Sequence, residues 1–305
     1  MKETKAKWQF VIKLLVSIGF LTALFYKWAD LTAVWDGIFF LISSKPLIFA
    51  LSCTLIFLNW WFEAFKWKVL LQKIYPVKIS ETIQYVLTGV TIGFITPGRS
   101  GEFAGRMILM PDKIKMESIM LSMIGGIAQT IPAVAFGVIF TFSEQFHIIN
   151  KDIDAFLLSS ALFVFLIIYF FINKITALSP VKTLLKSITI NPESTPDFQN
   201  NILILGLSFM RFGVYVVQYL LILHIAGIAV QESIAPVCWM LLLQSMSPAV
   251  AILDIGVRGS IAYWVFTQFG MFQQIELSAV FLIWFINLCV PALFGYLLIL
   301  RWKKQ

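Results

Sequence analysis

The sequence predicts an all-α polytopic membrane protein, with about six full spans and two re-entrant helical hairpins in an inverted-repeat arrangement. Three observations carry that prediction. The 305 residues are 59% hydrophobic and only 13% charged, with a mean hydropathy of +0.87. A soluble domain carries about 25% charged residues, so the bilayer is one of the solvents this composition is built for. Long apolar runs recur along the chain at the length of a membrane crossing, about 20 residues. Two further apolar regions are broken by proline and glycine and carry arginines where a simple span would be uncharged.

Taken in order, six segments qualify as spans: Phe10–Tyr26, Leu47–Phe65, Ile119–Phe142, Ala155–Ile172, Ile202–Ile225 and Leu277–Leu300. Lys2, Lys5 and Lys7 precede the first, and Lys27-Trp28 follows it in place of a small-residue cleavage site. That pattern reads as an uncleaved span with an aromatic interface residue. Trp28–Ser44 reads as an amphipathic surface segment. The polar stretch Asn173–Asn201, which contains Asn191-Pro192-Glu193-Ser194-Thr195-Pro196-Asp197, reads as a loop between two halves. No hydrophilic stretch is long enough for a separate soluble domain. Residues 1–305 therefore form one membrane domain, with pseudo-repeat halves at about 46–142 and 200–300.

The first interrupted region starts a helix near Ser80-Glu81 and stops at Ile95, before Pro97-Gly98. About 15 residues at 1.5 Å each reach about 22 Å, short of a crossing. A second limb then runs to Pro111. The other region breaks at Ser247-Pro248 and resumes through Asp254-Ile255-Gly256-Val257-Arg258-Gly259. Such backbone is tolerated at membrane depth only where protein or a watery cavity satisfies it. With both termini in the cytoplasm, six spans and two hairpins place most of the 23 lysines and arginines on the cytoplasmic side. This is the positive-inside bias of a bacterial inner-membrane protein. The hairpins then open from opposite sides, as in transporters built from inverted repeats.

Intramembrane charge marks a functional site by default. Thr96 is suited to cap the second limb, and Pro97 to its first position. Gly98 and Gly101 would let a ligand approach the backbone, and Arg99 adds planar donors suited to phosphate. Arg99, Glu102 and Arg106 share one helix face. Two readings of them stay open: a structural ion network, or a phosphate site tuned by Glu102. Arg258 and Asp254 are the counterparts in the second hairpin, as an internal pair or as substrate contacts. Arg211 lies inside a span without an acid in its own helix and needs Glu63, Glu102 or Asp254 as partner. Glu63 itself reads as an interfacial partner of Lys66 and Lys68. Gln129, Gln218, Gln244 and Asn287 read as interhelical hydrogen bonds. Cys53, Cys238 and Cys289 are far apart, and His147 and His224 are isolated. No metal, cofactor or nucleotide motif is present, and the cations are placed for lipid rather than nucleic acid.

At Thr96-Pro97-Gly98-Arg99-Ser100-Gly101-Glu102-Phe103-Ala104-Gly105-Arg106 the chain resembles the lysylphosphatidylglycerol synthase transmembrane-region family. A looser match occurs at Gly256-Val257-Arg258. There the family tends to have a glycine-rich turn and a glutamate after the arginine, where this chain has Leu253-Asp254-Ile255 and Gly259. The resemblance implies a flippase-like domain without the soluble synthase portion, so no lysyltransferase activity is expected. The expectation is a lipid translocase that holds an anionic or phosphate-bearing headgroup in a polar cavity. The residues expected to bind it are Thr96, Gly98, Arg99, Gly101, Glu102, Arg106, Arg211, Asp254 and Arg258. The alternatives are a membrane-embedded transferase acting on a lipid-linked substrate, with Glu102 or Asp254 as base, and an accessory subunit of a lipid-modifying system. Membrane lipid is the expected partner, and the reading leaves room for a homodimer or a lipid-modifying enzyme.

Overall fold

In a computed structural model, residues 32–96, 99–141, 151–177, 195–246, 254–271 and 275–301 are described. Everything regular among them is helical. The helices are α1 (Thr32–Ser44), α2 (Pro46–Leu71), α3 (Ile79–Ile95), α4 (Gly101–Met107), α5 (Lys115–Thr141), α6 (Lys151–Ala177) and α7 (Phe198–Ile225). After them come α8 (Val230–Met246), α9 (Asp254–Gln268), α10 (Ile275–Trp284) and α11 (Val290–Arg301). A π turn over Phe285–Cys289 joins the last two. It ends just before Pro291, whose ring removes the N–H that an unbroken α-helix would need.

Five described segments are long and apolar enough to cross a membrane: Pro46–Leu71, Asp112–Thr141, Ala155–Ile172, Phe198–Ile225 and Ile275–Arg301. They coincide with five of the expected spans, and the sixth, Phe10–Tyr26, lies outside the described residues. Their outer faces are apolar. Phe57 is 77% exposed, Phe156 71% and Phe163 65%, as expected where the surrounding medium is lipid. Thr32–Ser44 departs from the expected surface segment. Its Val34, Ile38 and Leu41 are buried, and Ser278 Oγ donates to the Val34 carbonyl, so α1 is packed onto α10.

The central pair is α2 against α7, and end contacts show them antiparallel. Lys45, just before α2, donates to the His224 carbonyl near the end of α7 (3.1 Å). At the other end Gln72 donates to Asn200 (3.2 Å), and Lys73 pairs with Asp197 (3.4 Å). Asp197 caps α7, its carboxylate accepting from the Asn200 N–H at 2.9 Å. That bond, helped by Lys73, holds the Asp197 carboxyl below its ordinary pKa. The other end of α7 is closed at Gly227, whose φ of 86° is left-handed. There Ile228 N–H reaches back to the Leu223 carbonyl (3.1 Å), a glycine-dependent stop.

The two interrupted regions form helical hairpins. In the first, α3 leaves the end of the bundle that carries Tyr75, and the chain returns there, with Lys113 Nζ over the Tyr75 ring. Glycines hold its limbs together. A Cβ on Gly105 would lie 2.6 Å from the Thr88 carbonyl oxygen, and one on Gly93 would meet Glu102. In the second, Gln244 near the end of α8 bonds Arg258 near the start of α9, so these limbs meet at their inner ends. The tip residues 247–253 lie outside the described residues. Because α8 follows the end of α7 that Lys45 contacts, the hairpins start from opposite ends of the bundle.

Replacing Gly105 by Val would force the α3–α4 limbs apart. We expect a loss of about 2 kcal/mol, in the range of overpacked cores, read as a lower melting temperature in detergent. A melting temperature equal to the parent's would show that the limbs do not pack this closely.

Candidate functional site: an arginine-lined cavity beside a buried ion network

Three polar residues of α2, Asn59, Glu63 and Lys66, are spaced to share one helix face. That face is turned inward, and all three residues are buried. Glu63 is the hub. Its two carboxylate oxygens meet Lys66 on the same helix, Arg106 from the first hairpin and Arg211 from α7, each at 2.7 Å. Arg106 also pairs with Glu102 at 2.6 Å, and Glu102 pairs with Arg99 at 2.8 Å. Neutral groups complete the set. Asn59 Oδ1 accepts from Arg211 Nε (2.9 Å), and Gln129 Oε1 accepts from Lys66 (3.0 Å). The guanidiniums of Arg106 and Arg211 lie over the Trp67 and Trp60 rings, at 4.9 and 5.1 Å. Buried charge is tolerated only when it is paired and hydrogen-bonded, which these residues achieve among themselves.

A cavity of about 200 Å³ adjoins this network. Arg99, Arg211 and Arg258 all reach it, from the tip of the first hairpin, from α7 and from the second hairpin. Gln129, Gln244 and Asn287 add polar lining, and Trp60, Phe212 and Trp284 add aromatic walls. No carboxylate is among the described lining residues. Network and cavity together bring Lys66, Arg99, Arg106, Arg211 and Arg258 against only Glu63 and Glu102, among the described residues. Arg99, Arg211 and Arg258 stand on the cavity side.

Several polar atoms there are buried without a partner among the described residues. Arg99 Nε and Trp60 Nε1 are such donors, and Asn287 Oδ1 is such an acceptor. The Asn287 amide orientation is fixed by its Nδ2, which donates to Gln218 Oε1 (3.0 Å) and to the Ile283 carbonyl (3.1 Å). A site with spare donors, one spare acceptor and three arginines is suited to an anion that also carries a hydrogen-bond donor.

Of the expected site residues, the structure brings Arg99, Arg211 and Arg258 to one cavity and places Glu102 and Arg106 behind it. Gly98 and the Asp254 side chain lie outside the described residues. Gly101 is packed against Thr96 and Ile92, so it serves the hairpin and not an approach to the backbone. Thr96 does cap the second limb, but later than expected: its Oγ1 accepts from the Gly101 N–H at 2.9 Å. Arg99 is the reason. Its φ of 56° is left-handed, so the helix cannot begin until that residue is passed. The resulting limb has seven residues, and its first N–H is taken by Thr96. Glu63 is the main correction. The expected pair with Lys66 is present, and Glu63 is one of the partners expected for Arg211, but α2 continues to Leu71 and leaves the Glu63 and Lys66 side chains 3% exposed rather than interfacial. The amides behave as expected: Gln218 donates to the Ser52 carbonyl, and Gln244 accepts from Arg258. The three cysteines are free, and no group of metal-binding side chains occurs among the described residues.

The fold and site thus define an all-helical protein with five candidate membrane spans and an arginine-lined internal cavity. No family model matches the chain, and no curated protein matches it either.

Glu63→Gln should be the most damaging single change in the network, because three buried cations lose their shared anion. Removing one partner from such a pair costs about 3 kcal/mol or more. We expect a large drop in melting temperature, partly restored by adding Lys66→Met. Equal stability of the parent and Glu63→Gln proteins would remove Glu63 from its central role.

Proposed function

We propose that the protein is a lipid translocase whose cavity holds the phosphate-bearing headgroup of an anionic lipid. The observation that carries this reading is the convergence of Arg99, Arg211 and Arg258 on one cavity whose described lining includes no carboxylate. Guanidinium groups match phosphate geometry with paired donors and stay charged when buried. Asn287 Oδ1 adds an acceptor for a headgroup hydroxyl or N–H. The two hairpins act as re-entrant elements from opposite faces of an inner membrane, with Arg99 of the first and Gln244 and Arg258 of the second lining the cavity. Rocking of one half against the other would expose the headgroup alternately to each side while the acyl chains stay in lipid. The resemblance of the Thr96–Arg106 segment to the lysylphosphatidylglycerol synthase transmembrane-region family points the same way. The transferase alternative is less well supported. Of its two candidate bases, Glu102 is committed to ion pairs with Arg99 and Arg106, while a general base must have a lone pair free to reach its proton, and the Asp254 side chain lies outside the described residues.

The test is scrambling of fluorescent lipids in proteoliposomes. The wild-type protein should move anionic phospholipid faster than zwitterionic phospholipid. Arg258→Ala and Arg99→Ala should each slow the anionic lipid about tenfold or more, as expected when a charge-assisted contact worth ~1.4 kcal/mol or more is lost. Equal rates in wild type and both variants would sink the mechanism.

A further inference from the structure

A second concavity, about 390 Å³, lies between α2, α3 and α11. Its walls are Ile56, Phe57, Trp60, Trp61, Ile83, Leu87, Val290, Pro291 and Phe294. All of these side chains are apolar except for the indole N–H groups. The groove lies on an apolar outer surface, where Phe57 is 77%, Phe294 57% and Trp61 48% exposed. Trp60 lines this groove and the arginine cavity alike, so one side chain forms the wall between them. On the polar side the Arg211 guanidinium lies over its ring. Its Nε1 is buried with no acceptor among the described residues.

We infer that the groove is the acyl-chain subsite of the cavity's ligand, which straddles Trp60 with its phosphate among the arginines and a chain against Phe57 and Phe294. This rests on the proposed headgroup cavity and adds where an acyl chain of the lipid is held. Three features favour a lipid chain over another occupant. The apolar groove adjoins a cationic cavity directly, as an amphiphilic anion requires. The junction offers the Trp60 N–H, which has no acceptor among the described residues, to an ester oxygen of the ligand. The rims are aromatic rather than made of the small residues that let helices of a partner protein pack closely.

Lipid tails are as apolar as the groove, so hydrophobic transfer contributes little to choosing this chain over bulk lipid. The advantage comes from shape and from the tether to the headgroup. Filling the groove should therefore weaken lipid binding while leaving the headgroup site intact.

Val290→Trp and Ile83→Trp, on opposite walls, fill it. Binding of dioleoylphosphatidylglycerol, glycerol 3-phosphate and inorganic phosphate is measured on purified protein in detergent by native mass spectrometry and ligand-induced thermal shift. Each variant is checked for a parent-like elution profile, and either one suffices if the other does not fold. The expected result is about a tenfold loss of phosphatidylglycerol affinity with unchanged glycerol 3-phosphate binding. Trp60→Phe, which keeps the ring under Arg211 but removes the N–H, should lose about threefold for the lipid alone. Unchanged lipid affinity in the filled variants would overturn the groove. If Arg258→Ala still abolished binding, the headgroup cavity would stand without it. Loss of lipid and glycerol 3-phosphate together would assign the change to the cavity, and a shift from dimer to monomer on filling would assign the groove to a second copy. No binding to the wild type, or none lost in Arg258→Ala, would remove both readings.

Discussion

The interaction on which the rest depends is the Glu63 carboxylate with its three cations. It joins elements far apart in sequence: α2, α7 and the second limb of the first hairpin. Each partner is intolerable alone at this depth, since an isolated buried charge costs several kcal/mol even after relaxation. The network therefore acts as a registration device as well as a neutralising one. Sliding α7 by one turn would strand Arg211, and sliding the hairpin would strand Arg106. Trp60 and Trp67 strengthen the same register by lying flat against those guanidiniums.

The hairpin is brought to this register by backbone proximity. Gly89, Gly93 and Gly105 let α3 and α4 approach until side chains on one limb touch backbone on the other. On the other side of α3, Gly295 of α11 packs against the Leu87 backbone, and Thr91 donates to the Ala292 carbonyl at 2.8 Å. With both flanks fixed, the tip has little freedom, and Arg99 takes a left-handed φ that costs about 1 kcal/mol. Its N–H to the Thr96 carbonyl and its pair with Glu102 offset that strain. The strained residue is also the one that faces the cavity, where strain is expected to mark function.

Much of the fold was legible because its signals are local. Five spans follow from hydropathy alone, and the first hairpin from Pro97-Gly98 after a helix too short to cross. The cavity was half legible: Arg99, Arg211 and Arg258 stood out as charges in apolar runs, but nothing local says that they converge. Glu63 was misplaced because the charges of Lys66 and Lys68 resemble a span's end. Only the length of α2, set by its packing on α7, shows that it runs on to Leu71. The stripe Asn59, Glu63, Lys66 was in fact visible at helical spacing and was the signal that could have corrected it. Thr32–Ser44 was misjudged for a related reason. Whether an amphipathic helix lies on a surface or in a bundle depends on whether a partner such as Ser278 is waiting for it.

The division of charge between network and cavity decides what the site can do. Arg106 meets two carboxylates and is sequestered; Glu102 is shared between Arg106 and Arg99, so Arg99 keeps only part of an anion. Arg211 likewise shares Glu63 with two other cations. Arg99 and Arg211 thus share their carboxylates with other cations, and the low dielectric around them magnifies what is left unbalanced. An occupant bearing negative charge is stabilised there, whereas a cation is repelled. The same deficit limits how tightly the anion needs to be held. A fully charged site would trap its ligand, and a fully paired one would ignore it. Partial pairing leaves Glu63 and Glu102 as competitors that reclaim Arg211 and Arg99 when the anion departs. If the cavity holds the proposed anion, its release needs no external source of energy beyond the ligand's own gradient.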